Sequence, residues 1–516
     1  MRVEPILEGS DRVEREAPDL LRDESNLQIP SGAPGVDRVY APASSAEAEA
    51  VVALAAATST PLTLSGARTG ISGGAVPMVG GWLLSTARLQ GFEVRRDKGY
   101  GGSPYVIVGS GLSLSQLKHN LDICEPDSDG VRWHYPVDPT EWSASVGGTL
   151  ATNASGGRSY FYGPTARWVR ALEVVFADGT RTWIRRGEVQ AAAGGVLRWP
   201  KGPADGVSLP NLRPPEVKCV AGYDAGADGD LVDLLVGSEG TLALIVGAEL
   251  QLAPVPPHVL SMVCFLPDGV DGLDVVTAIR IDPDLEPMTM EYLDSASLNL
   301  LREERVQGGE GRIPELPSDA GSALFLEFPF ASEEAMDEGV LALEAHLAAA
   351  GASLEATWAG QEAADQRRMR ALRHAVPEAV NARISRLRAT CPGIHKVGTD
   401  LAVPHRSARA MADAYARVRE ASGVSSVLFG HAAENHLHLN FLPRTLDELE
   451  EAKARHFELA RVAVSLGGSV TAEHGIGRLK RALVSIQFGE EGVAEMRRIK
   501  RAMDPAGILN PGVLLP

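Results

Sequence analysis

The chain is short of cysteine, of basic charge and of long apolar runs, and each shortage excludes something. Four cysteines stand far apart in 516 residues, at 124, 219, 264 and 391, and none forms a C-x-x-C pair. That disfavours an iron–sulfur cluster or a thiolate zinc site within the chain and suits a reducing compartment. Lys and Arg number 49 against 67 Asp and Glu, for a net charge of -18 and a pI near 5.2. Nucleic acid is therefore not an expected partner, because phosphate binding needs a basic surface. A local anion site built from backbone N–H groups stays open. No apolar run reaches membrane-spanning length, and the first thirty residues are too charged for a signal peptide. The expectation is a soluble, cytoplasmic protein.

What is present is ordinary globular material, 44% hydrophobic and 22% charged, with length enough for two to four domains. Residues 44–58 read as a helix, with Ser44 and Glu47 at capping-box spacing and an apolar face through Val51, Val52, Leu54 and Ala55. A short strand, "PLTLS", runs from it into the glycine-rich "GARTGISGGA". "ALEVVFADGTRTWI" reads as a hairpin turning at Asp178-Gly179. Prolines 254, 256 and 257 mark a boundary, after which strands alternate with alanine-rich helices. The texture is α+β.

Two separated segments are rich in small residues. In "SGARTGISGGA" (65–75), small side chains let the backbone approach a phosphate, and successive N–H groups form a nest for its oxygens. The pattern is neither a P-loop nor G-x-G-x-x-G. "SASVGGTLATNASGGRSYFYGPT" (143–165) adds hydroxyls and the Asn153 amide. Either alone reads equally as a plain loop, but a dinucleotide is long enough to be lined by both.

With "VGSEGTL" at 236–242, these segments resemble the flavin-binding domain of the vanillyl-alcohol-oxidase type family of FAD-linked oxidases. The branch that is similar contains D-lactate dehydrogenase, the glycolate oxidase FAD subunit and D-2-hydroxyglutarate dehydrogenase. The resemblance runs from "VYAPASSAEAEAVV" to "DPAGILNPG". It implies a two-part PCMH-type FAD-binding domain plus an α+β cap with an antiparallel sheet. Residues 1–256 would bind FAD, 257–469 would form the cap, and 470–516 would return to the FAD site. Ser65, Gly66, Ala67, Arg68, Thr69, Gly70, Ser72 and Gly73 would hold the pyrophosphate. Thr140, Ser145, Gly148, Thr152, Asn153 and Gly156 would line the flavin, with Glu239, Gly240 and Ile245 nearby. Thr69 stands where covalent flavoproteins of this type carry a flavin-linked histidine, so the FAD is expected to be non-covalent.

A third motif is "FGHAAENHLHLNFLP", 429–443. "LHLNFL" alternates, which as a strand puts His436, His438 and Asn440 on one face and Leu437, Leu439 and Phe441 toward the core. A lone histidine here would read as a satisfied buried side chain. Three within eight residues, with Glu473-His474 downstream between pairs of glycines, read as a site. His431, His438 and Glu473 make a set of two imidazoles and one carboxylate suited to zinc or another divalent metal with an open position. This resembles the family's G-H-x-x-x-x-x-L-H and G-E-H-G signatures. The usual Gly-Asp-Gly-Asn between the two histidines is Ala433-Glu434-Asn435-His436 here, and His436 joins the candidates as an extra ligand or substrate contact. His474 is read as the general base, kept neutral by a nearby cation. Arg373, in a partial match to W-x-x-R-E, and Lys396 are candidates for the substrate carboxylate, with Asn440 also facing the substrate.

The expected reaction is oxidation of a D-2-hydroxy acid to a 2-oxo acid. Electrons would pass to a separate acceptor: a quinone, a cytochrome, an electron-transfer or an iron–sulfur protein. A homodimer is left open. The rival readings are a non-redox FAD transferase resembling alkylglycerone-phosphate synthase, a zinc hydrolase without flavin, and a flavin-binding subunit with structural duties.

Overall fold

The computed structural model describes residues 3–96, 103–192, 194–210, 212, 214–226, 228–309, 313–352, 355 and 357–516. Three sheets carry the architecture. A four-stranded sheet runs in the order Leu7–Glu8, Val36–Tyr40, Gly81–Ser85, Leu62–Ser65, with its last three strands parallel. A five-stranded antiparallel sheet follows the order Phe92–Arg95, Tyr105–Gly109, Ala243–Gln251, Val169–Phe176, Arg181–Arg185. Helix Ser45–Ala57 packs between them. Ser44 Oγ caps it by accepting from Glu47 N at 3.2 Å, and Glu47 reaches back to Ala43 N rather than to Ser44. Its buried face is Ala48, Val51, Val52 and Ala55. Leu54, expected on that face, is 42% exposed, because the 3.6-residue period puts Ala48 in line with 51, 52 and 55 instead. The hairpin turns as expected, with Gly179 at φ 86.

The third sheet has eight antiparallel strands. From one edge they are Trp358–Gly360, His258–Pro267, Ala320–Phe330, Thr289–Leu293, Ser426–His431, His436–Phe441 and Val397–Gly398, and Leu401–Ala402 also pairs with His436–Phe441. Helices cover both faces, so its strands read as apolar runs. Val263 and Phe265 pack with Met369, Leu372 and Val376 of helix Ala363–Arg388 on one side. Met262, Cys264 and Leu266 pack with Val275, Ile279 and Leu343 on the other.

The C-terminal segment rejoins the first sheet. Leu62 N donates to Ile508 O at 2.7 Å, and Asn510 N donates to Leu62 O at 3.0 Å. The Asn510 side chain accepts from Leu64 N and donates to Glu239 O, tying "ILNPG" to both the glycine-rich loop's strand and the "GSEG" turn. Among the described residues no helix is long and apolar enough to cross a membrane.

Candidate functional site

Strands Ser426–His431 and His436–Phe441 pair antiparallel through a short turn that closes with Asn435 in the left-handed region at φ 49. Register places His431 opposite His436 and Phe429 opposite His438. The next strand places Glu291 opposite His431. Three imidazoles therefore gather on one face, with ring centroids 4.5 to 5.6 Å apart, while Leu437, Leu439 and Phe441 enter the core behind them.

The segment 469–478 crosses over this face. Asp400 anchors it: Oδ1 accepts from Glu473 N at 3.3 Å, and Oδ2 accepts from His474 N at 3.0 Å and from Lys480 Nζ at 3.1 Å. Thr471 Oγ1 donates to the same carboxylate. Glu473 is thereby held with two different faces. Its Oε1 lies 3.1 Å from His431 Nε2, 3.4 Å from His438 Nε2 and 3.6 Å from His474 Nε2. Its Oε2 accepts from Lys218 Nζ at 2.8 Å, a buried ammonium that also reaches Ser159 Oγ and Glu434.

Each imidazole of the strand face is oriented from outside. His431 Nδ1 is 2.7 Å from Glu291 Oε1, His438 Nδ1 is 3.2 Å from Thr399 O, and His436 Nε2 is 2.9 Å from Asp400 Oδ1. Such outer acceptors fix a ring's tautomer and leave the other nitrogen for a ligand. His431, His436, His438 and Glu473 each bring a donor atom within 4.8 Å of the others. His436 Nδ1 is buried with no partner among the described residues. This donor set and that orphaned nitrogen fit a divalent cation.

The electrostatics agree. Burial opposes the charge on Glu473, but Lys218 and His431 outweigh it and hold the carboxyl well below its usual range. Burial likewise pulls His431 down, while Glu291 and Glu473 overcome it and lift the imidazole to about 9. The imidazole thus faces a carboxylate at each nitrogen, Glu291 at Nδ1 and Glu473 at Nε2. His474 differs. Burial drives its pKa down to about 3 against the pull of Asp400, so the imidazole is neutral without any added cation. Its ring stacks on His438 at 5.1 Å, and its side chain, 29% exposed, has the most solvent contact of the cluster.

The glycine-rich loop lies against the same segment. Ser72 Oγ donates to His474 O at 2.7 Å, and Ser72 O accepts from Arg478 N at 2.8 Å. The approach is so close that a Cβ on Gly477 would sit 2.1 Å from Ser72 O. On its other side the loop meets Ser145, whose Oγ accepts from Ala67 N and Gly148 N, and a Cβ on Gly66 would be 2.5 Å from that oxygen. Among the described residues the N–H groups of Arg68, Thr69 and Gly70 have no acceptor, and the Arg68 guanidinium has no carboxylate partner. A row of free N–H groups beside an unpaired guanidinium fits a phosphate chain.

Comparison with known proteins identifies the fold that builds this pair of sites. The family description "FAD linked oxidases, C-terminal domain" matches residues 255–514, and "FAD binding domain" matches residues 36–185. The chain belongs to the FAD-linked oxidases. It is 28% identical to D-lactate dehydrogenase of Archaeoglobus fulgidus over 483 residues, covering 92% of this chain and 90% of that one. Glycolate oxidase subunit GlcD of Bacillus subtilis is 28% identical, covering 92% and 88%. D-2-hydroxyglutarate dehydrogenase of Xanthomonas citri pv. viticola is 29% identical, covering 92% and 88%. A solved structure of alkyldihydroxyacetonephosphate synthase superposes with a TM-score of 0.57 at 16% identity over 93% of this chain and 77% of that one, which speaks for the fold alone. This FAD-linked oxidase is an enzyme, an oxidoreductase with a PCMH-type flavin-binding domain and the family's C-terminal domain.

Several residues expected at its flavin have side chains engaged elsewhere. Glu239 accepts from Ile476 N and Gly477 N at 2.7 and 2.8 Å, and burial raises its carboxyl to about 7. Asn153 caps a helix and accepts from Ala166 N, and Thr152 Oγ1 donates to Gly148 O. Gly156 is required by Asp138 O, which a Cβ would meet at 1.7 Å. Gly240 makes room for Asn510, and Ile245 is buried in its strand. Thr140 is exposed on the loop that follows Asp138, Gly70 is exposed beside Ile71, and Gly73 is buried against Leu27.

Arg373 reaches the site. It pairs with Glu291 at 3.0 Å and packs on Gly157. Asn440 is buried beside Gly398, on the histidine face of its strand. Lys396 does not join the cluster; its ammonium donates to Asn381, two helical turns along from Arg373. Glu291, Asp400 and Lys218 were missed by sequence reading, because each is brought in by tertiary pairing and none carries a local motif. A cavity of about 500 Å3 opens on the Lys218 side of Glu473, bordered by Asn153, Ser155, Ser159, Tyr223 and Glu434.

Proposed function

We propose that this enzyme oxidises a D-2-hydroxy acid, of the D-lactate, glycolate or D-2-hydroxyglutarate class, to the corresponding 2-oxo acid. The observation that carries the reading is one cluster of His431, His436, His438 and Glu473 donor atoms within 4.8 Å, stitched through Ser72 to the flavin loop. The names of the similar proteins support the substrate class. FAD, when bound, supplies the acceptor for the α-hydrogen and its electron pair. His431, His438 and Glu473 would hold zinc or another divalent ion, which when bound supplies Lewis acidity toward the substrate hydroxyl.

The chain's own side chains do the rest. His474, neutral and partly open to solvent, takes the hydroxyl proton at Nε2, while Asp400 near Nδ1 steadies the ring. Arg373 uses the guanidinium N–H groups not held by Glu291 to bind the substrate carboxylate. Asn440 flanks it, and Lys396 is left for the far end of a longer acid. Ser72 couples the flavin loop to the backbone of His474. Electrons then leave to a separate acceptor. Residues 1–256, 257–469 and 470–516 are proposed as flavin domain, cap and returning segment.

Two results test this reading. His438→Ala is expected to lose metal and keep FAD, since residues 65–73 lie outside its contacts; elemental analysis of the two proteins decides, and full metal with full activity would overturn the ligand set. Acid precipitation is expected to release the flavin into the supernatant, because Thr69 offers no imidazole for a covalent link. Flavin retained on the pellet would refute non-covalent binding.

A further inference from the structure

We propose that His436 is a fourth protein ligand, binding a divalent first-row transition ion through Nδ1, so that the centre is three imidazoles and one carboxylate. The inference rests on the metal reading above and goes one ligand beyond it.

The ring is fully buried, and its Nδ1 has no partner among the described residues. Buried polar atoms are rarely left unmatched, so an orphaned nitrogen on a ring that belongs to this four-residue donor group calls for an occupant. The tautomer is assigned from the hydrogen bonds. Nε2 lies 2.9 Å from Asp400, a fully buried carboxylate already fixed by Lys480 and the His474 N–H. Nε2 therefore carries the hydrogen, and the lone pair belongs to Nδ1. His431 and His438 are arranged in the same way, each with one nitrogen on an outer acceptor and the other turned inward. Cross-strand pairing opposite His431 holds His436 in the same small volume, with ring centroids 5.1 Å apart. A histidine serving only the core would leave Nδ1 unmatched and has no need to lie among Glu473 and two other imidazoles.

The fourth ligand changes what the centre selects. Four protein donors close a tetrahedral site, which is the arrangement of structural zinc. A hydroxy acid chelating through its hydroxyl and carboxylate brings two more donors. The centre then favours an ion that accepts five or six donors over one confined to four.

The test uses the FAD-loaded enzyme with Co2+ as probe. His436→Asn and His436→Gln are expected to keep FAD and bind Co2+ about tenfold more weakly or worse, with a changed visible spectrum. X-ray absorption on the unmutated Co2+ enzyme, which needs no variant to fold, is expected to count three imidazoles. Two imidazoles there, or unchanged affinity and spectrum in both variants, would overturn the fourth ligand and leave the three-ligand centre standing. Failure of the unmutated enzyme to bind Co2+ would overturn both.

Discussion

His474→Ala is expected to keep both FAD and metal and to lose about 10²–10⁴-fold in the rate of substrate-driven flavin reduction. The expectation follows from how the ring is held. Its backbone is fixed from both sides, the N–H by Asp400 and the C=O by Ser72, so the loop does not depend on the imidazole. The ring itself makes few contacts, lying 3.4 Å from Asp400 Oδ2, 3.6 Å from Glu473 Oε1 and stacked on His438. Removing it therefore takes away a proton acceptor rather than a strut. Stopped-flow reduction of metal-replete protein is the check. A rate within about threefold of the parent contradicts the role, being far less than loss of a base costs. A parallel fall in metal content and rate makes the ring a ligand or a packing element instead.

Glu327→Ala is expected to destabilise the protein by about 3–5 kcal/mol, the usual loss when one partner of a buried ion pair is removed. Glu327 is 2% exposed on strand Ala320–Phe330. Its Oε2 accepts from Arg158 Nε at 2.9 Å, and its Oε1 accepts from Arg370 at 2.8 Å and from Ser261 at 3.0 Å. It thus clamps Arg158, within the small-residue segment 143–165, to the eight-stranded sheet and to helix Ala363–Arg388. Burial raises the cost of its charge, but the two guanidiniums outweigh it and hold the carboxyl down to about 2. A carboxyl depressed in the folded state adds stability above its unfolded pKa, and loses it as pH falls toward 2. The variant should therefore unfold at lower urea at pH 7 and show a flatter loss of stability between about pH 4.5 and 2. A loss below about 1 kcal/mol at pH 7, the range of an exposed pair, contradicts the clamp.

The contrast between His438 and Lys218 shows which parts of the site were legible in the sequence. The histidine face announces itself because strand alternation is local: His436, His438 and Asn440 recur at period two against Leu437, Leu439 and Phe441. The Asp178-Gly179 turn and the Ser44 cap are local in the same sense. Lys218, Asp400 and Glu291 carry no such signal. Glu291 acquires its meaning only when its strand pairs with His431, and Asp400 only when the 469–478 crossover lands on it. Glycine-rich sequence was legible as close approach but ambiguous about what is approached. Gly66 makes room for Ser145, and Gly477 makes room for the carbonyl of Ser72. Lys396 was legible only as a cation near the right spacing; its backbone path, which sequence does not give, turns it toward Asn381.

The central claim is that flavin, metal centre and base act together on one carbon of a D-2-hydroxy acid. Anaerobic mixing of the yellow, metal-replete enzyme with matched D- and L-2-hydroxy acids tests it most directly. At least one D-acid or glycolate is expected to bleach the flavin in a single turnover and yield the 2-oxo acid, while the L-enantiomers leave it oxidised. A flavin that stays oxidised across D-lactate, glycolate and D-2-hydroxyglutarate, or that bleaches equally with both hands, would contradict it.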